Sequence, residues 1–463
     1  MIYLVIALLA LAEAVVSAGE QYVASALDQE HREIFRELVE INTSPEGGSV
    51  APAARAVAAR LAAAGYPPAD VETIGPNASC VNVVATLRGK DAAARPILLL
   101  AHLDVVPAKR EDWQFDPFVL REEDGWFVGR GTMDNKAGAS GLVANMMRWK
   151  RERFVPSRDL VMVLTCDEET AATGGIRWLL EARPRLGTAD YALNTDAGGV
   201  ERRSSGRVAF SLQAAEKQYV TFALTAKNEG GHSSVPRPDN AIYALAAALG
   251  RLAAHRFPVQ YNPVSQASFA RTASIESGPR ADDLAAAGRG ETSGPAIDRL
   301  SALPFVNSDL RTTCIATMLS AGHAENALPQ SATATVNCRV FPGVSEGEVK
   351  QVLESVVADP TITVSTSYEM VPSPASPLRD DLLPSIETVA AAFWKDATVV
   401  PSMSAGATDG LYLRNIGVPV FGLSGIEIRP EDERSHGLNE RVPVRSLYQS
   451  REFWNVMVRT LVK

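Results

Sequence analysis

Two kinds of apolar patterning alternate along the first half of the chain. Short unbroken apolar runs in "CVNVVATLRG", "PILLLAHLDVV", "DLVMVLTCDEE" and "YALNTDAGG" read as strands buried on both faces, as in a parallel sheet. Before and between them apolar residues recur every three to four positions, the spacing of an amphipathic helix. This holds for "SALDQEHREIFRELVEINT", for the Ala-rich "APAARAVAARLAAAGY" closed by Gly65, and for "AGASGLVANMMRWKR" and "GGIRWLLEARP". The alternation predicts an α/β fold with a mostly parallel sheet flanked by helices.

The rhythm changes after about Val208. "VAFSLQAAEKQYVTFALTAK", a helix at "NAIYALAAALGRLAAH", a hairpin of "RTTCIATMLSAG" with "SATATVNCRV", and a helix near "EGEVKQVLESVVAD" read as an α+β module with antiparallel strands. Between them "RTASIESGPRADDLAAAGRGETSGPAIDRL", rich in Gly, Ala and charge, reads as a surface excursion or partly helical insert. "PSPASPL" marks a return linker, after which a helix at "LLPSIETVAAAFWK", a strand at "VPVFGLSG" and a helix at "VRSLYQSREFWNVMVRTLVK" resume the first pattern. Residues 19–208 and 376–463 are therefore expected to form one domain, with 209–375 inserted into it.

The amino-terminal "MIYLVIALLALAEAVVSAGEQ" carries an apolar stretch from Ile2 to Ala12 and small residues at Val16-Ser17-Ala18, the pattern of an export signal over residues 1–18. This predicts a periplasmic or secreted protein. No Lys or Arg precedes the stretch and Glu13 interrupts it, so an uncleaved membrane anchor is the alternative. No other stretch is long and apolar enough to span a bilayer. Of 463 residues, 46% are hydrophobic and 21% charged, ordinary for a globular protein, and the formal net charge of -9 excludes a phosphate-binding surface and hence a nucleic-acid partner. Four cysteines are too few for a disulfide scaffold and none forms a CxxC pair. Cys314 and Cys338 would lie equidistant from a turn at Asn326 and on one face, so an oxidising compartment permits a bridge between them.

The chemistry gathers where the apolar runs stop. "LVMVLTCDEET" ends a buried strand on Asp167, Glu168 and Glu169, carboxylates that repel one another unless a cation answers them. A solvated acidic turn is the plain alternative. "AHLDVV" offers His102 and Asp104, two residues apart in a strand and so on one side, where Asp104 can accept a hydrogen bond from the second ring nitrogen of His102. "GRGTMDNKAG" offers Asp134, "NTDAGG" Asp196 and "SHGLNE" His436. Alone, Asp134 could serve a Gly-rich turn, Asp196 cap a helix, and His436 lie in a surface loop. Together they end strands and loops that would meet at one edge of a sheet. Mixed imidazole and carboxylate ligands suit Zn, and also Co or Mn.

The ordered set "HLD…GRGTMDNKAG…DEET…NTDAGG…GHSS…SHG" resembles the family of two-zinc amidohydrolases and exopeptidases that includes glutamate carboxypeptidase, aminoacylase, carnosinase and succinyl-diaminopimelate desuccinylase. "HLDVVPAKREDWQFDPF" with "GWFVGRGTMDNK" looks most like the branch of carboxypeptidase S and N-acyl amino-acid hydrolases. The resemblance implies a zinc-exopeptidase-like catalytic domain with an inserted lid and dimerisation domain, and two divalent metal ions. By it, Asp134 would bridge both ions, Glu169 and His436 would complete one site, and His102 and Asp196 the other. Glu168 would be the general base. His232 of "GGHSSVPRPDNA" would stabilise the tetrahedral oxyanion from the partner subunit of a homodimer, although a lone His in a turn is often structural. Asn326 and Arg339 would recognise a free substrate carboxylate, for which the planar guanidinium is suited. Thr408 of "SAGATDGLYL" would contact substrate, in a loop where Ala405-Gly406-Ala407 departs from the family's Gly-Gly pattern.

The expected activity is therefore metal-dependent hydrolysis of an amide that releases an amino acid with a free carboxylate, by a carboxypeptidase or dipeptidase acting on small peptides. An N-acyl amino-acid hydrolase is the alternative. A non-catalytic peptide-binding protein would have lost Glu168 or a ligand, and every such position is filled.

Overall fold

The computed structural model describes residues 23–170, 174–203 and 206–463; the expected export signal at 1–18 lies outside them. In chain order the strands are β1 (Val71–Ile74), β2 (Asn82–Leu87), β3 (Ile97–His102), β4 (Arg121–Glu123), β5 (Trp126–Val128), β6 (Leu160–Thr165), β7 (Tyr191–Asn194), β8 (Gly199–Arg202) and β9 (Val208–Glu216). They continue as β10 (Gln218–Lys227), β11 (Gly231–His232), β12 (Thr313–Ala321), β13 (Ala327–Leu328), β14 (Ser331–Val340), β15 (Ile362–Tyr368), β16 (Ala397–Ser404), β17 (Val420–Gly422) and β18 (Arg441–Pro443).

A large sheet runs in the order β1-β2-β6-β3-β7-β17-β9-β16, with β8 beside β9. Its centre, β6-β3-β7-β17, is parallel. These strands are apolar throughout because helices cover both faces. Ile97, Leu99 and Ala101 of β3 enter one core with the helices Ala26–Glu40, Lys136–Arg151 and Val444–Leu461, while Leu98 and Leu100 enter another with Ile176 and Leu179. The period of two along the strand thus feeds two cores. Ser25 caps the first of these helices by accepting the Asp28 N–H and donates its own N–H back to the Asp28 carboxylate, which sets where the helix starts.

A second sheet, β12-β14-β10-β15, is antiparallel, with the helices Ala241–Ala254 and Glu346–Val357 packed against β10, β14 and β15. The chain stays in the large sheet to Glu216, past the boundary expected at 208, because β9 pairs with β16 along its length. It crosses at Lys217 and returns close by. Ser373 bonds both Glu216 and Gln218, and the Ser376 N–H donates to the Ala214 carbonyl at 2.7 Å.

The segment expected as a surface excursion or partly helical insert is helical. Pro263–Ile275, Pro279–Gly288, Pro295–Ser301 and Pro304–Leu310 bury Phe269, Leu284, Ile297 and Leu310 among themselves. Ile275 packs on Ala209 and Val400, so this layer covers the β9/β16 edge of the large sheet. Each helix begins with Pro at its first position, where the missing N–H costs nothing.

Cys314 and Cys338 face each other across β12 and β14 and are disulfide-bonded. A second disulfide, Cys80–Cys166, ties the loop before β2 to the end of β6. Among the described residues no helix is long and apolar enough to cross a membrane.

Candidate metal centre

The carboxyl ends of β3, β6 and β7 lie side by side; β3 ends on His102, and the loops leaving β6 and β7 carry Glu168, Glu169 and Asp196. The loop before the helix Lys136–Arg151 brings Asp134, and the loop before β18 brings His436. Two ligand groups result, His102 with Asp134 and Asp196, and Asp134 with Glu169 and His436. Within each, the ligand atoms lie within 4.8 Å of one another.

Asp134 belongs to both. Its Oδ1 is 2.9 Å from His102 Nε2, and its Oδ2 is 3.1 Å from His436 Nε2. His102 Nε2 is also 3.4 Å from Asp196, and His436 Nε2 is 3.0 Å from Glu169. Among the described residues the ion pairs of Asp134, Asp196 and Glu169 are with these two imidazoles alone. The nearby Lys136 does not neutralise them, because its ammonium donates to the Ile41 carbonyl. A cluster this rich in carboxylates and this poor in cations fits divalent ions, and the mixed nitrogen and oxygen donors fit Zn, Co or Mn.

The electrostatics carry the same message. Burial pushes the Glu168 carboxyl well above the usual range, and Asp196, Asp409 and Glu169 add to it. Burial also lifts Asp196 to about 6 against the pull of His102. The hydrogen bonds of Asp134 and Glu169 raise His436 to about 10. Burial opposes protonation of His102, yet Asp196, Asp104 and Asp134 outweigh it and hold its pKa well above 6.5. The imidazoles act here as the cations of the cluster.

Asp104 has a different task from the one expected. The His102 Nδ1 donates to the backbone carbonyl of Asp104 at 3.0 Å, whereas the carboxylate stands 3.6 Å away. That carboxylate accepts the backbone N–H groups of Glu168, at 3.2 Å, and Glu169, at 2.9 Å. Asp104 therefore shapes the acidic turn, and a backbone oxygen orients the ring. Glu168 makes no side-chain hydrogen bond or ion pair among the described residues and lines a cavity of about 570 Å³ with Asp134, Glu169, Asp196 and His436.

Arg339 lines the same cavity. Its guanidinium lies 4.8 Å from the Tyr219 ring centroid and donates to the Ala405 carbonyl, with no carboxylate in ion-pair range among the described residues. Thr408 also lines it, but its hydroxyl is engaged. It donates to the buried Glu216 at 3.1 Å and accepts from the Gly410 N–H. Glu216 in turn pairs with the buried Arg414 at 2.7 Å, so the hydroxyl expected to meet substrate instead anchors its loop. His232 and Asn326 do not reach the cavity within one chain. They meet on the small β11/β13 ladder, where the Ser233 N–H donates to the Asn326 carbonyl and His232 is exposed.

Two supporting residues escaped the sequence reading. Glu440 is fully buried and accepts four hydrogen bonds: Arg130 Nη1 and the Gly131 N–H on one oxygen, the Met133 and Asp134 N–H groups on the other. It moulds the turn that presents Asp134, and it sits four residues beyond His436 in "SHGLNE", where it looked like a loop acid. Asn135 donates to Asp196 at 3.0 Å and accepts from Thr195, linking two of the ligand loops.

Residues 98–460 match the peptidase family M20/M25/M40. The chain is 31% identical over 381 residues to the Homo sapiens N-fatty-acyl-amino acid synthase/hydrolase PM20D1, covering 78% of this chain and 73% of that protein. It is 27% identical over 398 residues to the Dictyostelium discoideum protein named probable carboxypeptidase S-like 2, covering 82% and 75%. In fold it is similar to the M20 family metallo-carboxypeptidase Sso-CP2 of Sulfolobus solfataricus, with a TM-score of 0.69 over 93% of this chain and 99% of that one, at 15% identity.

Proposed function

The chain belongs to the peptidase family M20/M25/M40, and from that premise we propose that it hydrolyses an amide whose leaving group is an amino acid with a free α-carboxylate. The observation that carries this reading is the division of Asp134, one oxygen toward each imidazole, beside a Glu168 carboxylate with no side-chain partner among the described residues. His102, Asp134 and Asp196 would hold one divalent ion, and Asp134, Glu169 and His436 the other. Such a pair supplies a water of lowered pKa and a polarised scissile carbonyl.

The rest falls to the side chains. Glu168, its affinity for a proton raised by burial and neighbouring acids, takes the proton of the attacking water and returns it to the leaving amine. Asp104 keeps it in reach by holding its backbone. Arg339, stacked on Tyr219 and free of acidic partners in the described chain, is the group available to a substrate carboxylate. The protein acts as a homodimer in this reading. β12 is an edge strand with Ile315, Met318 and Leu319 about two-thirds exposed, a surface suited to a second copy that would bring His232 to the neighbouring cavity. Two disulfides and no free cysteine among the described residues support export to an oxidising compartment.

The test uses protein reconstituted with Zn, Co or Mn and a mixed pool of dipeptides, C-terminally amidated dipeptides and N-acyl amino acids, read by mass spectrometry. Only substrates with a free carboxylate should disappear. Glu168→Gln should bind the same amount of metal and lose roughly 10²- to 10⁴-fold in kcat. Full activity in Glu168→Gln, or equal cleavage of amidated peptides, refutes the reading.

A further inference from the structure

A cavity of about 690 Å³ shares no lining residue with the candidate metal centre. It lies among the helices Leu383–Phe393 and Val444–Leu461, the end of β8, and the loop that leaves β17 toward His436. Its size is that of a small-molecule site. Six charged side chains line it: Arg202, Lys395, Glu427, Arg429, Asp432 and Arg445. Both acids are already answered, Glu427 by Arg202 at 3.1 Å and Asp432 by Arg441. Lys395, Arg429 and Arg445 make no ion pair or side-chain hydrogen bond among the described residues. A formal net charge of -9 excludes an extended basic face, yet here the chain gathers three unanswered cations around one space.

The helix Val444–Leu461 starts at this space. Pro443, Arg445 and Ser446 line it, no acid stands in the first turn, and Pro443 offers no side chain to cap it, so the positive end of the helix dipole adds to the cations. Aromatic surface supplies much of the remaining wall, with Trp126 and Phe393 half-buried and Trp394 only 2% exposed. The buried indole N–H of Trp394 has no acceptor among the described residues, a cost unless an occupant meets it. Ser446 Oγ donates to the Glu427 carbonyl at 2.7 Å and Gln449 to the Phe393 carbonyl at 3.4 Å, which fixes the walls to one another. We propose that this cavity is a second binding site, for a small organic anion that carries two negative charges on a flat apolar body, an aryl dicarboxylate or an aryl phosphate. Two charges suit the three cations and the helix terminus, and guanidinium groups pair with carboxylate and phosphate oxygens alike. The flat body packs on Trp126 and Phe393.

The experiment titrates phthalate and phenyl phosphate separately into the whole metal-free chain, read by calorimetry and tryptophan fluorescence, with succinate and phthalamide alongside. One equivalent should bind, and the tighter of the two anions identifies the head group. Succinate lacks the ring and phthalamide the charges, so each should bind roughly ten-fold more weakly or worse. Lys395→Ala and Arg429→Ala, at exposed positions whose loss spares the core, should each weaken binding about five-fold, and the double variant about 25-fold. Trp394→Phe keeps a ring against Phe210 and Phe453 and should weaken it about ten-fold through the lost donor. Absence of binding by either anion up to about 10 mM overturns the proposal, as does unchanged affinity in the double variant. Loss of binding in Arg339→Ala overturns it too, since the anion would then sit in the cavity of the metal centre. Phthalamide or succinate binding as tightly as phthalate overturns the assigned ligand class.

Discussion

Glu440→Gln removes one charge and changes one atom, yet four donors converge on that carboxylate. An amide keeps a single acceptor oxygen. If that oxygen stays with Arg130 and Gly131, the N–H groups of Met133 and Asp134 face an NH2 and lose their partner. Each buried unsatisfied donor costs about 1–3 kcal/mol. In either orientation Arg130, whose side chain is 3% exposed, keeps its charge without a counter-ion, a loss of about 3–5 kcal/mol. Burial and the proximity of Asp134 raise the Glu440 pKa, so the native charge is held against a cost and the lower end applies, about 3 kcal/mol. Urea unfolding of the metal-free protein reads this as a lower midpoint at unchanged slope. The same variant should lose affinity for both ions, since the turn it releases carries Asp134, and metal analysis after gel filtration checks that. A Gln variant within about 0.5 kcal/mol of the parent, with two ions still bound, would show that the turn is held by other means.

Two further outcomes follow from the same cluster and its neighbour. Arg339→Ala should raise KM for free-carboxylate substrates by an amount corresponding to about 2–5 kcal/mol, and should leave amidated analogues unaffected; equal losses on both would assign Arg339 to architecture instead. In the metal-free protein His436 is raised from 6.5 to about 10, so its ion pairs stabilise fully below pH 6.5 and their contribution is lost as pH rises through about 10. With His102 also raised, metal uptake at pH 8 must displace both protons, and calorimetry in buffers of different ionisation enthalpy should report about two released per chain. Release of none would mean that the imidazoles are not ligands.

The candidate ligand residues were legible because physics made them conspicuous: a strand as apolar as Leu160–Thr165 has no reason to end in three acids unless something answers them. The central parallel strands and their helices were equally plain, since each carries its period in full. What stayed hidden depends on partners far away in the chain. Glu440 reads as a loop acid until the turn 306 residues upstream is folded against it. Asp104 sits where a ring partner was expected, and only the folded turn shows that two backbone N–H groups reach its carboxylate first. β16 contains Pro401, which argues against a strand in the middle of a sheet; it forms at the edge, where one side needs no ladder. Cys80 and Cys166 stand 86 residues apart with no spacing motif, so their bond is invisible before β2 and β6 are paired.

The second sheet is entered and left at neighbouring points. Ala214 and Ser376 share a backbone hydrogen bond, and Ser373 ties the outgoing Glu216 and Gln218 to the returning segment. A short splice across those residues would close the large sheet without unthreading it. The chain between them, with its own apolar core, is thus built like a cassette that recombination could exchange, altering what approaches the metal ligands while leaving the ligands in place.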